Sequence, residues 1–351
     1  MSRKTNIDLF ENFEALDGYH CQTNSLAKMY NFYNAPLSEE MLLGLGAGMG
    51  FMYWHQKGAP PFIGGRGNNK EFHLDIARRT GVEIKRISTS SAKKAERSLI
   101  EALRQSQPVM IFVDMGYLPF FDFGDDYHFG GHTNVICGFD GEETVLVSDM
   151  AASEIGLKKA IVHEMTLSEV AQARGSKFKP FPPQNATFTF DFTHFRPPTA
   201  EDIYRSIKQT VDQMLNPPIK NFGTKGIRKA GKEITKWHKQ FSDEEFRMNL
   251  FNFYLFVSVA GTGDGIFRYM YGRFLHEGSQ ITGNKELSRL GDHIKTCGDL
   301  WVETAAPFKD ALTIENPESL LLGIKEQFNL IADKEDEAFK LLSEIEREAN
   351  S

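Results

Sequence analysis

The stretch "GGHTNVICGFDGEETVLVSDM", residues 130–150, decides how this chain folds. Two apolar runs, "TNVICGF" and "TVLVSD", flank the turn-forming "DGEE", so the segment reads as a β-hairpin. A turn about Asp140 and Gly141 sets His132 opposite Asp149, and cross-strand partners point to the same side of a sheet. An imidazole facing a carboxylate has its tautomer fixed and its protonated form stabilised. A four-residue turn centred one position later opposes His132 to Ala151 instead. Asp140 then stands as the spare orienter.

Working outward, "PVMIFVDM" reads as a strand buried on both faces, and "VEIKRIS" and "TFTFDF" alternate like strands. "LKKAIVHEMTLSEVAQAR" begins as a strand and ends as a helix. "NNKEFHLDIARRTG" and "AKKAERSLIEALRQSQ" have helical spacing. "GYLPFFDFGDDYHFGGH" is too rich in Gly, Pro and Asp to be regular and is a loop over a site or a surface. In "NAPLSEEMLLGLG", Ser38 caps a helix, and the glycines that follow, Gly44, Gly46, Gly48 and Gly50, suit a tight loop. They do not fit a dinucleotide fingerprint, because no third glycine stands at the required place and a helix precedes them. The proline-rich segment 179–200 supplies a boundary near Pro197 and Pro198, beyond which almost everything is helical in period. The pattern is α+β: residues 1–196 form a domain with strands and helices, and residues 197–351 a mostly α-helical domain.

The 351-residue chain carries a formal net charge of -7, which argues against nucleic acid as a partner. Its start, "MSRKTNIDLFENFEALDG", lacks an apolar targeting core, and no run of about 18 apolar residues exists, so the expectation is a cytoplasmic protein without a membrane partner. Its 3 cysteines are far apart and odd in number, which suits neither a disulfide framework nor a structural zinc site. His128 and His132 are four apart, but glycines between them oppose a helical metal pair, so no metal and no cofactor is expected.

One thiol stands out by position. In "GYHCQTNSLAKMY", residues 18–30, Leu26, Met29 and Tyr30 recur at helical spacing after Cys21. A thiol in the first turn of a helix feels the partial positive charge of unpaired N–H groups, which favours the thiolate. The same N–H groups can hold an oxyanion on a carbonyl under attack. A small buried core residue is the other reading of Cys21. Cys137 lies in an apolar strand and Cys297 in a helix, both as core residues.

Cysteine at a helix start, then "GH" opening a strand, "G-x-D" in the turn and an Asp ending the return strand, resembles a papain-like cysteine enzyme, closest to the bacteriocin-leader-processing C39-type peptidases. The fuller resemblance is to the butirosin biosynthesis protein H family. Its N-terminal domain is similar over "GYHCQTNSLAKMY", "LSEEMLLGLGAGMGFMYW" and "GGHTNVICGFD", and its C-terminal domain of uncharacterised type over "GTGDGIFRYMYGRFLHEG". The resemblance implies a papain-like fold with a central antiparallel sheet and an acyltransferase. An acyl group would pass from an acyl carrier protein, through a phosphopantetheine-linked or small-molecule thioester, to Cys21 and on to an amine acceptor as an amide. Cys21 would attack, His132 shuttle the proton and Asp149 orient the ring. Papain-like proteases place an oxyanion-hole glutamine about six residues before the nucleophile. Here that position is Ala15, and Gln22 follows Cys21 instead, so Gln22 and His20 are the turn residues at issue.

In the second domain, Gly261, Gly263 and Gly265 precede a helix expected from Ile266, a candidate anion cradle. Arg268 and Arg273 are candidate forks for a carboxylate or phosphate, in a cleft between domains. Lys225, Arg228, Lys229, Lys232, Lys236 and Lys239 form a basic stripe opposite an apolar face, a candidate docking surface for an acidic carrier protein. A homodimer is compatible with this reading. A cysteine hydrolase, whether peptidase, amidase or thioesterase, and a non-catalytic binding module on the same fold are the competing functions.

Overall fold

A computed structural model describes residues 7–349 other than 123, 125, 126, 153 and 154. In chain order the first elements are α1 (Cys21–Phe32), α2 (Glu39–Leu45), β1 (Met49–Trp54), β2 (Phe62–Arg66), α3 (Phe72–Thr80), β3 (Glu83–Ile87) and α4 (Ala92–Leu103). There follow β4 (Val109–Val113), β5 (His132–Phe139), β6 (Thr144–Met150), β7 (Ala160–Thr166), α5 (Leu167–Gly175) and β8 (Thr187–Asp191). The remainder is helical: α6 (Ala200–Leu215), α7 (Gly223–Ile234), α8 (Trp237–Gln240), α9 (Asp243–Tyr254), α10 (Arg268–Thr282), α11 (Lys285–Ala305) and α12 (Ile324–Ala349). The fold is α+β, with a six-stranded antiparallel sheet and a mostly helical C-terminal region.

The chain forms two compact units, Met1–Glu39 with Thr80–Pro197, and Glu40–Arg79 with Pro198–Ser351. In the first, the strands lie in the order β3-β8-β4-β5-β6-β7. Val109, Ile111 and Val113 of β4, Ile136 of β5 and Val145 and Val147 of β6 share one face, buried under Leu99 and Leu103 of α4 and Leu167, Val170 and Ala173 of α5. Each Val, Leu and Ile among them contributes roughly 1.5–3 kcal/mol. The other face receives α1, whose Ser25 hydroxyl meets that of Thr133 at 3.2 Å. A capping box fixes the start of α5: Thr166 accepts from the Glu169 N–H, and the Glu169 carboxylate accepts from the Thr166 N–H.

The second unit takes in residues 40–79, which the sequence pattern had put with the first domain. The reason is non-local packing. β1 and β2 form an antiparallel hairpin, and Tyr53 of β1 exchanges hydrogen bonds with Asn221, its N–H donating to the Asn221 carbonyl at 2.9 Å and its carbonyl accepting from Nδ2 at 2.9 Å. Gly44 lies against the ring of Phe274, where a Cβ would come within 2.1 Å. The glycine-rich segment thus ends α2 and opens a strand rather than forming a loop. Phe51 stacks on Trp301 at 5.5 Å in a core shared with Phe253, Phe308 and Phe328.

Candidate active site

His20 is the N-cap of α1, with extended backbone, and its Nδ1 accepts the Thr23 N–H at 3.3 Å. Cys21 is therefore the first helical residue, and its own N–H has no intrahelical carbonyl to bond. Its thiol is half-buried, whereas Cys137 and Cys297 are sealed. Burial pushes the Cys137 thiol up to about 12 and raises Cys297 as well. Burial acts on Cys21 in the same sense, but the charge of His132, a hydrogen bond from its ring and one from the Thr133 N–H outweigh it and lower the thiol.

The register of the β5–β6 hairpin decides whether a carboxylate supports that imidazole. Next to the turn, Phe139 pairs with Val145 and Gly138 with Leu146. Continued unchanged, this ladder would set Asp149 against Val135, on the opposite face from His132. A bulge at Cys137 intervenes, and beyond it Ile136 pairs with Val147 and Val135 with Ser148. Asp149 thereby falls opposite Asn134 and becomes a diagonal neighbour of His132 on one face. The directly opposed pairing expected from a two-residue turn does not occur, because the loop has four residues; the shared face survives. His132 Nε2 and Asp149 Oδ2 are 2.7 Å apart, with 7% and 2% of their side chains exposed. Asp149 Oδ1 accepts the Met150 N–H at 2.8 Å. With Nε2 engaged, Nδ1 is the ring nitrogen left for Cys21. Burial alone would depress His132, but the charges of Asp149 and Cys21 raise it to about 10. A thiolate–imidazolium pair backed by a carboxylate is the state these directions favour.

Several contributors had no signature in the sequence. The Thr133 N–H points at the sulfur only because β5 starts there. Lys28, 1% exposed, directs Nζ at the Asp149 carbonyl at 3.4 Å, and burial lowers its pKa while Asp149 opposes the shift. The loop after β4 is pinned by the sealed carboxylate of Asp114, which accepts from His128 Nδ1 at 3.0 Å, the Ser176 hydroxyl at 2.5 Å and the N–H groups of Gly116 and Phe129. That loop puts the edge of Phe121 against His132 at 6.0 Å. Burial raises the Tyr127 hydroxyl, and the charges of Asp114 and Cys21 add to it. Residues 123, 125 and 126 of the same loop lie outside the described residues.

Other expected site residues are employed differently. Asp140 is not an orienter: its Oδ1 accepts the N–H groups of Glu142, Glu143 and Thr144 and caps the turn. Gln22 is the second residue of α1 and half-buried. Arg268, expected as a substrate fork, is wholly buried and bidentate to Glu335, with Nε and Nη2 each 2.8 Å from a carboxylate oxygen and Nη1 on the carbonyls of Gly50 and Ile266. Trp301 Nε1 completes the Glu335 shell at 2.8 Å. Arg273 is engaged by Glu40 at 2.6 Å.

Nor do Gly261, Gly263 and Gly265 form the expected cradle. The N–H of Gly261 goes to the Val259 carbonyl and that of Gly265 to the Asp264 carboxylate. The helix starts at Arg268, two residues later than expected, because Ile266 and Phe267 are held at φ of 49° and 71°. On the basic stripe, Arg228 pairs with Asp333 and Asp336, Lys229 donates to Asn221 and Lys236 to Glu233, while Lys225, Lys232 and Lys239 are exposed. Among the described residues no group of His, Cys, Asp and Glu is arranged to hold a metal ion, and no helix is long and apolar enough to cross a membrane.

Residues 20–150 match the family model for butirosin biosynthesis protein H, N-terminal, and residues 168–342 match a domain of unknown function (DUF4872). Together the two matches span most of the chain, which belongs to the butirosin biosynthesis protein H family. Cys21, His132 and Asp149 all fall within the first match, and the second begins at α5, ahead of the proline-rich boundary. No curated protein matches the chain. The family match points to a biosynthetic enzyme of specialised metabolism.

Proposed function

We propose that this member of the butirosin biosynthesis protein H family is a papain-like cysteine acyltransferase, forming an amide from a carrier-bound thioester and an amine. The observation that carries the reading is the continuous line from the half-buried Cys21 thiol through the His132 ring to the sealed Asp149 carboxylate. The thiolate attacks the thioester carbonyl, and the developing oxyanion is met by the Cys21 N–H at the start of α1. The intermediate collapses by breaking the bond to the donor sulfur, which leaves with the proton of the His132 imidazolium. The neutral ring then takes a proton from the amine as its nitrogen attacks the acyl-enzyme, and expulsion of the Cys21 thiolate restores the ion pair. Asp149 steadies the imidazolium throughout.

An acyl carrier protein is the donor this chemistry favours, with the exposed Lys225, Lys232 and Lys239 as a reduced basic surface for it. The test is to incubate the protein with carrier-bound and small-molecule thioesters and weigh it intact. The expected result is an acyl adduct on Cys21, absent in Cys21→Ala, that converts to amide when an amine is added. Accumulation of free acid regardless of amine would make the protein a hydrolase. No adduct, together with ordinary thiol reactivity at Cys21, would make it a binding module.

A further inference from the structure

Upstream of Cys21 the backbone is held by a carboxylate that the proposed chemistry does not use. Glu39, 6% exposed, stands at the first position of α2. Its Oε1 accepts the Tyr19 N–H at 2.9 Å and Asn24 Nδ2 at 3.4 Å, and its Oε2 accepts the His20 N–H at 3.1 Å and the Thr23 hydroxyl at 2.6 Å. The amide of Asn24 also reaches back to the carbonyls of Leu16 and Asp17, at 3.1 and 3.2 Å. On its other side the same run exchanges two backbone hydrogen bonds with Lys158, at 2.9 and 2.7 Å through Gly18. Any side chain at Gly18 would collide with this arrangement, because a Cβ there comes within 2.2 Å of both Asn24 Nδ2 and Glu39 Oε1.

We infer that Glu39 is a positioning residue, whose carboxylate gathers the N–H groups of Tyr19 and His20 and the Thr23 hydroxyl so that the turn delivers Cys21 to His132. The inference rests on the reading of Cys21 as the nucleophile. Hydrogen bonds to a carboxylate are shorter and stronger than neutral ones, so one buried acid fixes the two residues before Cys21 and the two after Gln22 about a single centre. A negative charge so close to a thiolate works against ionisation of the thiol. Its presence there is explained if the geometry it imposes, the sulfur held against the His132 ring and the Thr133 N–H, outweighs its charge.

These two effects have opposite signs and can be separated. Besides Glu39 itself, the titratable groups that bear on Cys21 include His132, Asp149 and Tyr127, with His20 one residue before it. The second-order rate of iodoacetamide alkylation, read on the Cys21 peptide by mass spectrometry between pH 5 and 10, reports its ionisation. Glu39→Gln keeps the shape but places an amide N–H₂ where an acceptor stood. The expected result is a midpoint raised by about one unit and a rate at pH 6 lowered about tenfold. Thr23→Val, which removes one of the four donors, should move the midpoint the same way by a smaller amount, and it carries the test if Glu39→Gln does not fold.

A midpoint that falls in Glu39→Gln would mean that the charge alone acts, and one that falls in Thr23→Val would mean that the contact does not hold the sulfur against the ring. A midpoint that stays put while the melting temperature drops would mean that Glu39 only holds the fold together. Any of these results overturns the inference while leaving an activated wild-type Cys21 in place. Ordinary thiol behaviour in the wild type would overturn the nucleophile reading and this inference with it.

Discussion

Replacing Asp149 by Asn isolates the charge behind His132. The side chain keeps its size, but its one oxygen can face only one of the two groups the carboxylate now serves, His132 Nε2 and the Met150 N–H. The lost attraction, for charges about 4 Å apart at an effective dielectric near 20, is about 4 kcal/mol, or roughly three pKa units. That carries His132 from about 10 down to about 7, the upper edge of the ordinary imidazole range, and weakens its ion pair with Cys21 by the same roughly three units. The imidazolium that holds the Cys21 thiolate is then partly lost at pH 7, and the thiol titrates upward. Relaxation of the surroundings takes back part of the effect, so alkylation of Cys21 at pH 7 should fall on the order of a hundredfold. As pH rises toward 10 the thiol ionises without the imidazolium, and the variant's deficit should narrow, though burial still holds the thiol up. Stopped-flow alkylation across this range provides the measurement. A rate at pH 7 within twofold of wild type would refute the electrostatic reasoning, and so would a deficit that persists undiminished at pH 10, which would report a displaced sulfur instead.

Acyl transfer by the wild-type protein, as distinct from alkylation, needs the proton on His132 for the departing sulfur, so transfer rates should decline as pH rises through about 10, the value to which Asp149 and Cys21 lift the ring. Asp140→Ala should weaken the hairpin by about 1 kcal/mol in denaturant unfolding, through loss of the turn cap, with no change in Cys21 alkylation; a slower alkylation would return Asp140 to the site. Arg268→Met leaves the buried Glu335 charge unpaired and should destabilise the protein by about 3–5 kcal/mol, and adding Glu335→Leu should recover most of the loss. If the double variant were as unstable as the single one, packing rather than charge would account for the damage.

Elements whose signal is local were readable in the sequence. Strands such as Val109–Val113 and Thr187–Asp191 follow from apolar runs and alternation, and the change from β7 to α5 from the change of period within one run. Pairs set by distant partners were not. Gly44 to Gly50 suggests a loop until Phe274 packs against Gly44 and Asn221 pairs with Tyr53 in the strand that follows, each from more than 160 residues away. The glycine–Arg motif misled for a related reason: glycines before an arginine are equally the signature of an anion site and of a backbone bent through left-handed angles. Only Glu335, 67 residues downstream, decides between them. The site itself lay between these cases. Sequence parity puts His132 and Asp149 on one face, yet for an incomplete reason, since the pairing of Phe139 with Val145 next to the turn would by itself have parted them and the bulge at Cys137 restores the match.

That bulge gives Cys137 a bearing on the chemistry although its own thiol is inert. A ladder shifted by one residue turns every side chain beyond it to the other face. On the turn side of Cys137 the strands keep the pairing set by the Asp140 cap, and on the far side they keep the pairing that brings Asn134, Asp149 and His132 together. The apolar core under α4 and α5 enforces the second register, because Val109, Ile111, Ile136 and Val147 are all buried on the face that also carries His132 and Asp149. Slipping the register to relieve the bulge would turn Val145, Val147 and Asp149 together to the face that receives α1, stripping valines from the core while it dismantled the site. Hydrophobic burial worth several kcal/mol thus stands behind a polar contact that exposed side chains could not hold by themselves. The hydrogen bond between imidazole and carboxylate inherits its geometry from the valine and isoleucine packing beside it.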